Sequence, residues 1–253
     1  MAGHEPVAGQ TAACDLAHNV RSPAPGASAP ARISASAEHI HEKLQSAILE
    51  HRLPPGTKLG EDRLAEMFAT SRARVRQVLV RLAHQQLVDV LPQRGAFVAS
   101  PTPQQARDVF EARRLLEPAV LSRLMGNCTP AKLKRLRQHL AKEVQARQQN
   151  DARAVIRLSG EFHCLLAELA GNSAFVRVMR ELCAQTCLVI SLYNTSMAHS
   201  CRADEHACLV DAMERQDLAQ ALALALEHLA HIESSLVLDP GEGVVDLESI
   251  LLG

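Results

Sequence analysis

Aromatic side chains are nearly missing from this chain: five Phe, one Tyr and no Trp in 253 residues. A β-sandwich core draws on aromatic and β-branched residues, so that class is disfavoured. Leu, Ala, Val and Met must supply the core instead, which suits packed helices. No apolar run approaches the roughly 20 residues that span a bilayer. The N-terminus has no basic start followed by an apolar stretch, so secretion is not expected and the cytoplasm is the expected location. The seven cysteines are an odd number without zinc-ribbon spacing, and read as reduced, small core residues. Cys183 and Cys187, four apart, are read the same way, as packing and not as a soft metal site. There is no HExxH, no Gly-rich phosphate loop and no nucleophile paired with a general base. The net charge of −1 excludes a general polycation.

What charge there is lies unevenly. Between Arg72 and Arg94 five arginines face Asp89 alone, whereas from Asn150 onward six arginines meet fifteen acidic residues. The basic patch falls on LGEDRLAEMFATSRARVRQVLVRLAHQQL (59–87), which reads as two short helices joined by a tight turn. Leu64, Ala65, Met67 and Phe68 form the apolar side of the first. Val75, Val78, Leu79 and Leu82 recur at helical spacing in the second. Thr70 or Ser71 is suited to cap it. Arg72, Arg74, Arg76 and Arg81 then stand off the apolar stripe, the arrangement a major-groove reader needs. A solvated basic face would give the same pattern in an isolated helix. Here the flanks add to it. His39–Arg52 is a helix stopped by Pro54-Pro55-Gly56. Leu87–Val98 holds two β-branched runs about Pro92-Gln93-Arg94-Gly95, a hairpin. Helix, helix-turn-helix and hairpin make a winged helix.

This stretch resembles the GntR family of bacterial transcription regulators. The likeness lies in the Pro-Gly and Leu of LPPGTKL, the Leu-Ala of DRLAEMF, the SRxxVRxxL pattern of SRARVRQVLVRL, and the Arg-Gly and Val of the wing. Ala73-Arg74 replaces the family's frequent Thr-Pro and Gln77 a frequent acid, so the fold transfers better than the operator sequence. The resemblance implies binding to a palindromic operator in double-stranded DNA, by a homodimer. Arg72 and Arg76 are expected to make most of the contact, with Arg74 and a wing contact from Arg94 beside Gly95. Arg63 and Ser71 join them on the DNA-facing side.

The expected fold is mainly α: an N-terminal winged helix-turn-helix with a small two-stranded wing, then an all-α bundle. Residues 1–36, rich in Ala, Pro, Gly and Ser, form an expected disordered tail. The winged helix takes 37–100, Ser100–Pro103 a stiff linker, the bundle 104–238, and 239–253 a tail. Within the bundle, helices are expected at 104–125, from Pro130, from 152 to Gly171-Asn172, from 175 to about 196, from about 203 to 215, and from about 217 to 236.

His163, His206 and His228 each sit among apolar residues on a different one of these helices. A single histidine so placed is usually a hydrogen-bonded core residue. The bundle, however, resembles the FCD ligand-binding domain of the FadR branch. The matching residues include Glu111-Ala112-Arg113, Leu116-Glu117, the Phe-His of GEFH, Ala170-Gly171-Asn172, Glu205-His206, Asp217, Ala221 and His228-Leu229. Many members hold a divalent metal through one Asp and three His. The three histidines fall on the His positions, but Ser159 stands at the Asp position, four residues before His163. Three imidazoles can hold zinc or nickel and leave places for water or a carboxylate. Loss of the anionic ligand leaves the site more positive, which a small carboxylate effector would balance. His231 could compete with His228. Arg113 either faces the pocket or pairs at the surface with Glu117. The leading reading is an effector-controlled repressor and not an enzyme; the alternatives are a metal-dependent enzyme using the three histidines, or a metal sensor.

Overall fold

In the computed structural model, residues 35–194 and 204–238 are described. Nearly all of the 1–36 tail and the whole of the 239–253 tail lie outside them. Ser36 accepts the His39 amide at 3.1 Å and caps α1 (Ala37–Leu49), so the first domain begins on that cap. Ile40, Leu44, Ala47 and Ile48 form its buried stripe. The chain then turns through His51 at φ 55° and Gly56 at φ 78° into β1 (Lys58–Leu59). α2 (Glu61–Met67) and α3 (Arg72–His84) follow, with Ser71, not Thr70, capping α3. β2 (Val88–Leu91) and β3 (Gly95–Val98) close the domain.

The wing differs from the expected two-stranded hairpin. It is a three-stranded antiparallel sheet in the order β1-β3-β2, with Lys58 opposite Phe97 and Val88 opposite Val98. Two further bonds, Gly56 N–H to the Val98 carbonyl and Val98 N–H to the Thr57 carbonyl, both 2.9 Å, extend the β1 side. A strand of two residues has no period of its own, and only its partner, some forty positions on, defines it.

Among the described residues, six helices make the second domain: α4 (Pro103–Met125), α5 (Pro130–Gln148), α6 (Ala152–Ala170), α7 (Ser173–Tyr193), α8 (Glu205–Glu214) and α9 (Leu218–Ser234). Their ends follow local chemistry. Thr102 and Gln105 form a capping box at α4. Thr129 caps α5, with Pro130 at its first position. Gly171 takes the left-handed conformation, φ 73°, that ends α6, and Asn172 caps α7 by accepting two amides. Phe162, Leu166, Leu121, Met179, Val210 and Met213 lie in one buried cluster, and Phe110, Val189, Leu229 and Ile232 in another.

The two domains share material across their junction. Ala184 and Leu188 of α7 belong to the same buried cluster as Ile40, Val78 and Leu82 of the winged helix. His51 Nε2 lies 2.9 Å from the Cys187 carbonyl, and Arg157 pairs with Glu50 at 3.2 Å. The winged helix therefore does not close its core with its own residues alone.

Candidate functional site

The candidate DNA-facing helix, α3, is built from its N-terminal end. Val75, Val78, Leu79 and Leu82 are buried, which turns Arg72 and Arg76 outward with side chains 61% and 63% exposed. Neither guanidinium hangs loose. Arg76 donates Nε to Glu61 Oε1 at 2.9 Å and Nη2 to Oε2 at 2.6 Å. Arg72 Nε meets Asp62 at 3.0 Å. Both acids open α2, where sequence alone shows them only as favourable charges at a helix N-terminus. Arg74 differs from its neighbours: its Nη1 folds back to Thr70 Oγ1 at 2.9 Å and the Ala35 carbonyl at 3.4 Å. Arg81 turns the other way, to Glu38 of α1. Arg63 is exposed on α2. At the wing, Gly95 has φ 96°, and Arg94 stacks 5.9 Å from the Phe97 ring centre. A Cβ at Gly95 would come no nearer than 3.9 Å to another residue, so the backbone angle and not space selects glycine.

The three histidines come together. His163 on α6, His206 on α8 and His228 on α9 are 2%, 3% and 3% exposed. His228 Nε2 lies 3.2 Å from His163 Nε2 and 3.3 Å from His206 Nε2. Behind each ring a glutamate faces Nδ1: Glu143 of α5 at 3.0 Å from His206, Glu205 at 2.7 Å from His228, and Glu117 of α4 at 3.0 Å from His163. The first two are hydrogen bonds; the third is a close contact without good alignment. A carboxylate at Nδ1 keeps the proton there and turns the Nε2 lone pair inward. In that tautomer the three Nε2 atoms, all within 4.8 Å of one another, turn lone pairs toward one point, an arrangement that a cation would relieve. Two metal–nitrogen bonds of about 2.0–2.1 Å at a tetrahedral angle put their nitrogens roughly 3.3 Å apart. The donor set and spacing thus fit a divalent ion. Ser159 is half-buried one turn before His163. His231 bonds Glu205 at 2.8 Å, and only His228 of the two belongs to the converging group. Phe162 stacks on His206, ring centres 4.2 Å apart, and fixes its plane.

Burial shapes the electrostatics. It pushes the imidazole of His163 down to about 4 and that of His228 to about 3, against the pull of Glu117 and Glu205. Burial alone would raise the Glu117 carboxyl; the Arg113 charge and His163 more than offset this and hold it well below the carboxylate range. Burial also opposes the charged forms of Glu143 and Glu205, but the combined pull of His206, His139 and Arg147 on the one and of His228 and His231 on the other lowers both carboxyls.

Arg113 and Glu117 do form the pair suggested by their spacing, but not at the surface. They are 2% and 3% exposed, and Nε donates to Glu117 Oε1 at 2.7 Å. Nη1 donates to Thr186 Oγ1 of α7 at 3.1 Å. Nη2 is buried with no acceptor among the described residues. An unbroken line of contacts therefore runs from Arg113 through Glu117 to His163. A cleft of about 960 Å³ opens between the winged helix and α5–α7, but none of the three imidazoles lines it. Cys183 and Cys187 are buried on α7, and no metal-competent cluster among the described residues includes a cysteine.

The supporting carboxylates were not singled out from the sequence as site residues. One carried a signal. The buried positions of α5 are Leu136, His139, Leu140, Glu143 and Ala146, so an acid occupies an apolar stripe.

A winged helix joined to a helical bundle with an internal cluster of imidazoles and carboxylates defines a two-domain DNA-binding regulator. The family of bacterial regulatory proteins called gntR matches residues 36–98, and the FCD domain matches residues 108–231. The chain belongs to the GntR family of transcriptional regulators, in the form that carries an FCD domain. It is 34% identical over 133 residues to an HTH-type transcriptional regulator in an unstable DNA locus of Streptomyces ambofaciens, covering 53% of this chain and 56% of that protein. It is 29% identical over 133 residues to the transcriptional repressor RspR of Escherichia coli K12, covering 53% and 58%. The matches thus span little more than half the length of these relatives. Among solved structures, a GntR regulator from Rhodococcus sp. RHA1 superposes with a TM-score of 0.70 at 23% identity, over 78% of this chain and 95% of that one. At that identity the likeness concerns the fold. No described helix is long and apolar enough to cross a membrane.

Proposed function

We propose that the protein is a homodimeric repressor that reads a palindromic operator through α3 and the wing, and whose hold on that operator is set by a small carboxylate bound in the helical domain. In this reading His163, His206 and His228 hold a divalent ion, zinc or nickel, and Arg113 and Ser159 lie on the effector's side. The observation that carries it is the convergence of three Nε2 atoms, each imidazole backed by its own glutamate. Bound there, the ion would offer a Lewis-acid position to one carboxylate oxygen. The chain's own residues do the rest. Glu117, Glu143 and Glu205 orient the rings, and the acceptor-free Nη2 of Arg113 supplies a buried donor for an anion. Ser159, in place of an acid, leaves the site one negative charge poorer and better suited to take one from the ligand.

Coupling to DNA would run along α7. Thr186 accepts from Arg113, and the next residue, Cys187, bonds His51 of the winged helix. A carboxylate that draws Arg113 toward itself thus acts on the turn of α7 that carries the reading head. Two copies are needed because one winged helix reads few base pairs. Leu115, Leu218 and Leu226 stand exposed on α4 and α9, neighbours joined by the Arg114–Glu233 pair, and this face is the proposed seat of the second copy.

The test begins with elemental analysis of protein purified without a His-tag. About one zinc or nickel per chain is expected, and none in the triple alanine variant of the histidines. Equal, negligible metal in both would remove the ion and leave the effector to the imidazoles and Arg113. Light scattering at micromolar concentration should give a dimer. The depth of the three histidines favours a second reading, in which the ion itself is the signal. Operator affinity that responds to zinc alone, with no organic acid present, would select it.

A further inference from the structure

The reading surface of α3 is faced by acids. That is an unusual neighbourhood for groups meant to meet a polyanion, since each acid repels phosphates. Glu61 touches both expected base readers: it grips Arg76 through two bonds, 2.9 and 2.6 Å, and its Oε2 lies 3.9 Å from Arg72 Nη2. Its side chain is only 25% exposed, while Arg76 is 63% exposed. The acid is thus tucked against α3 and the guanidinium projects beyond it.

The geometry of the grip matters more than the charge. Glu61 takes the side-on edge of the guanidinium, one hydrogen from Nε and one from Nη2. What remains is the end-on fork of Nη1 and Nη2. A fork of two parallel N–H groups is what guanine O6 and N7 accept in the major groove. A free arginine spends rotamer entropy to present that fork and can equally well turn to a phosphate. One held at its other edge is presented ready-made. The bond to Arg76 in turn keeps the Glu61 carboxyl below its usual range, so it stays charged.

We propose that Glu61 is a positioning residue for DNA reading: it aims the Arg76 guanidinium at a guanine and so sets base discrimination, while adding nothing to overall attraction for DNA. Asp62 does the same more weakly for Arg72, through a single 3.0 Å contact. The proposal rests on the assignment of α3 as the reading helix, and the experiment separates the two.

The probe is a duplex selected from a random pool by the full-length wild-type protein, with its single-base-pair variants and one random duplex. Affinities are measured for wild type, Glu61→Gln, Arg76→Ala and the double variant at two salt concentrations, with thermal melts of each. Glu61→Gln should lower discrimination at one G·C pair per half-site by roughly tenfold, part of what a bidentate arginine–guanine pair supplies. It should bind the random duplex as well as wild type or better, because a negative charge has left the interface. In the Arg76→Ala background it should cost no further discrimination. If Arg76→Ala loses discrimination while Glu61→Gln keeps it in full, Glu61 does not aim the arginine and the proposal fails alone. Equal weakening for every duplex with a lowered melting temperature would make Glu61 a structural acid of α2, which also overturns it. If Arg76→Ala reads every base pair like wild type, α3 is not the reader, and both ideas fall together.

Discussion

The most telling perturbation of the histidine cluster is one that touches no histidine. Glu143 is 1% exposed and faces His206 Nδ1 with both oxygens, at 3.0 and 3.1 Å. Its other neighbours, His139 at 3.5 Å and the partly exposed Arg147 at 3.5 Å, are more distant. Glu143→Gln keeps the shape and one acceptor for the ring proton but removes the charge that makes His206 a stronger donor. Loss of such a supporting partner typically weakens metal binding about 10- to 100-fold, or about 1.4–2.7 kcal/mol. The metal-free fold should change far less, by under about 1 kcal/mol, because a buried carboxylate is itself costly and the amide preserves the hydrogen bond. The two effects separate in a melt. With zinc in large excess, stabilisation follows RT ln(1 + [L]/Kd), so the variant should lose about 1.4–2.7 kcal/mol of the zinc-induced gain. That is about 3–10 °C of melting temperature for a unit of this size. Chelator-competition titration gives the dissociation constant directly. If Glu143→Gln binds zinc as tightly as wild type while His206→Ala binds none, the glutamates are merely buried charges, and the inward-turned lone pairs lose their argument.

Three further outcomes follow from the same geometry. Glu117→Gln should destabilise the fold by about 3–5 kcal/mol in a urea melt, since it strips the counter-charge from a buried guanidinium, and adding Arg113→Met should recover most of it; an unrecovered double variant would refute the pairing. The depressed imidazoles of His163 and His228 give a signed pH effect. Unfolded, they take up protons near pH 6.5; folded, only near about 4 and 3, so the metal-free protein should lose stability as pH falls from about 6.5 toward 4. A flat melting temperature over that window, in chelator, would contradict it. Leu188→Ala, at a fully buried position within the winged-helix cluster, should cost about 2–5 kcal/mol and weaken DNA binding although it lies far along the chain from α3; unchanged operator affinity and stability would show that the reading head stands alone.

Local chemistry was legible where neighbours in sequence are neighbours in space. The Ser71 cap, the Val75–Leu82 stripe, the Thr129-Pro130 start and the Gly171 stop all follow from side chains within a turn of one another. The resemblance to a known domain singled out His163, His206 and His228, which spacing along three separate helices could not unite. What stayed hidden depends on distant partners. β1 is a strand only because Phe97 and Ala96 lie beside it. Arg113 and Glu117 have the spacing of an ordinary surface pair, and nothing local shows that Thr186 of α7 and His163 of α6 close over them. Glu61 and Arg76 are fifteen residues apart across a turn, where charge alone shows neither distance nor approach. Burial also carries the protonation of two of the three imidazoles below the ordinary histidine range, which no residue near them in sequence reveals.

The place of Ala184 and Leu188 bears on how such proteins can be recombined. Ser100–Pro103 looks like the natural seam at which to exchange one DNA-reading module for another. A graft cut there would seat the incoming module on a foreign α7, with the wrong volumes facing its core and no matched partner for the Cys187 carbonyl. The seam of the covalent chain and the seam of the packing are different surfaces. A working chimera must carry the inner face of α7 along with the first hundred residues, and lineages that shuffle reading heads should change that face in step with them.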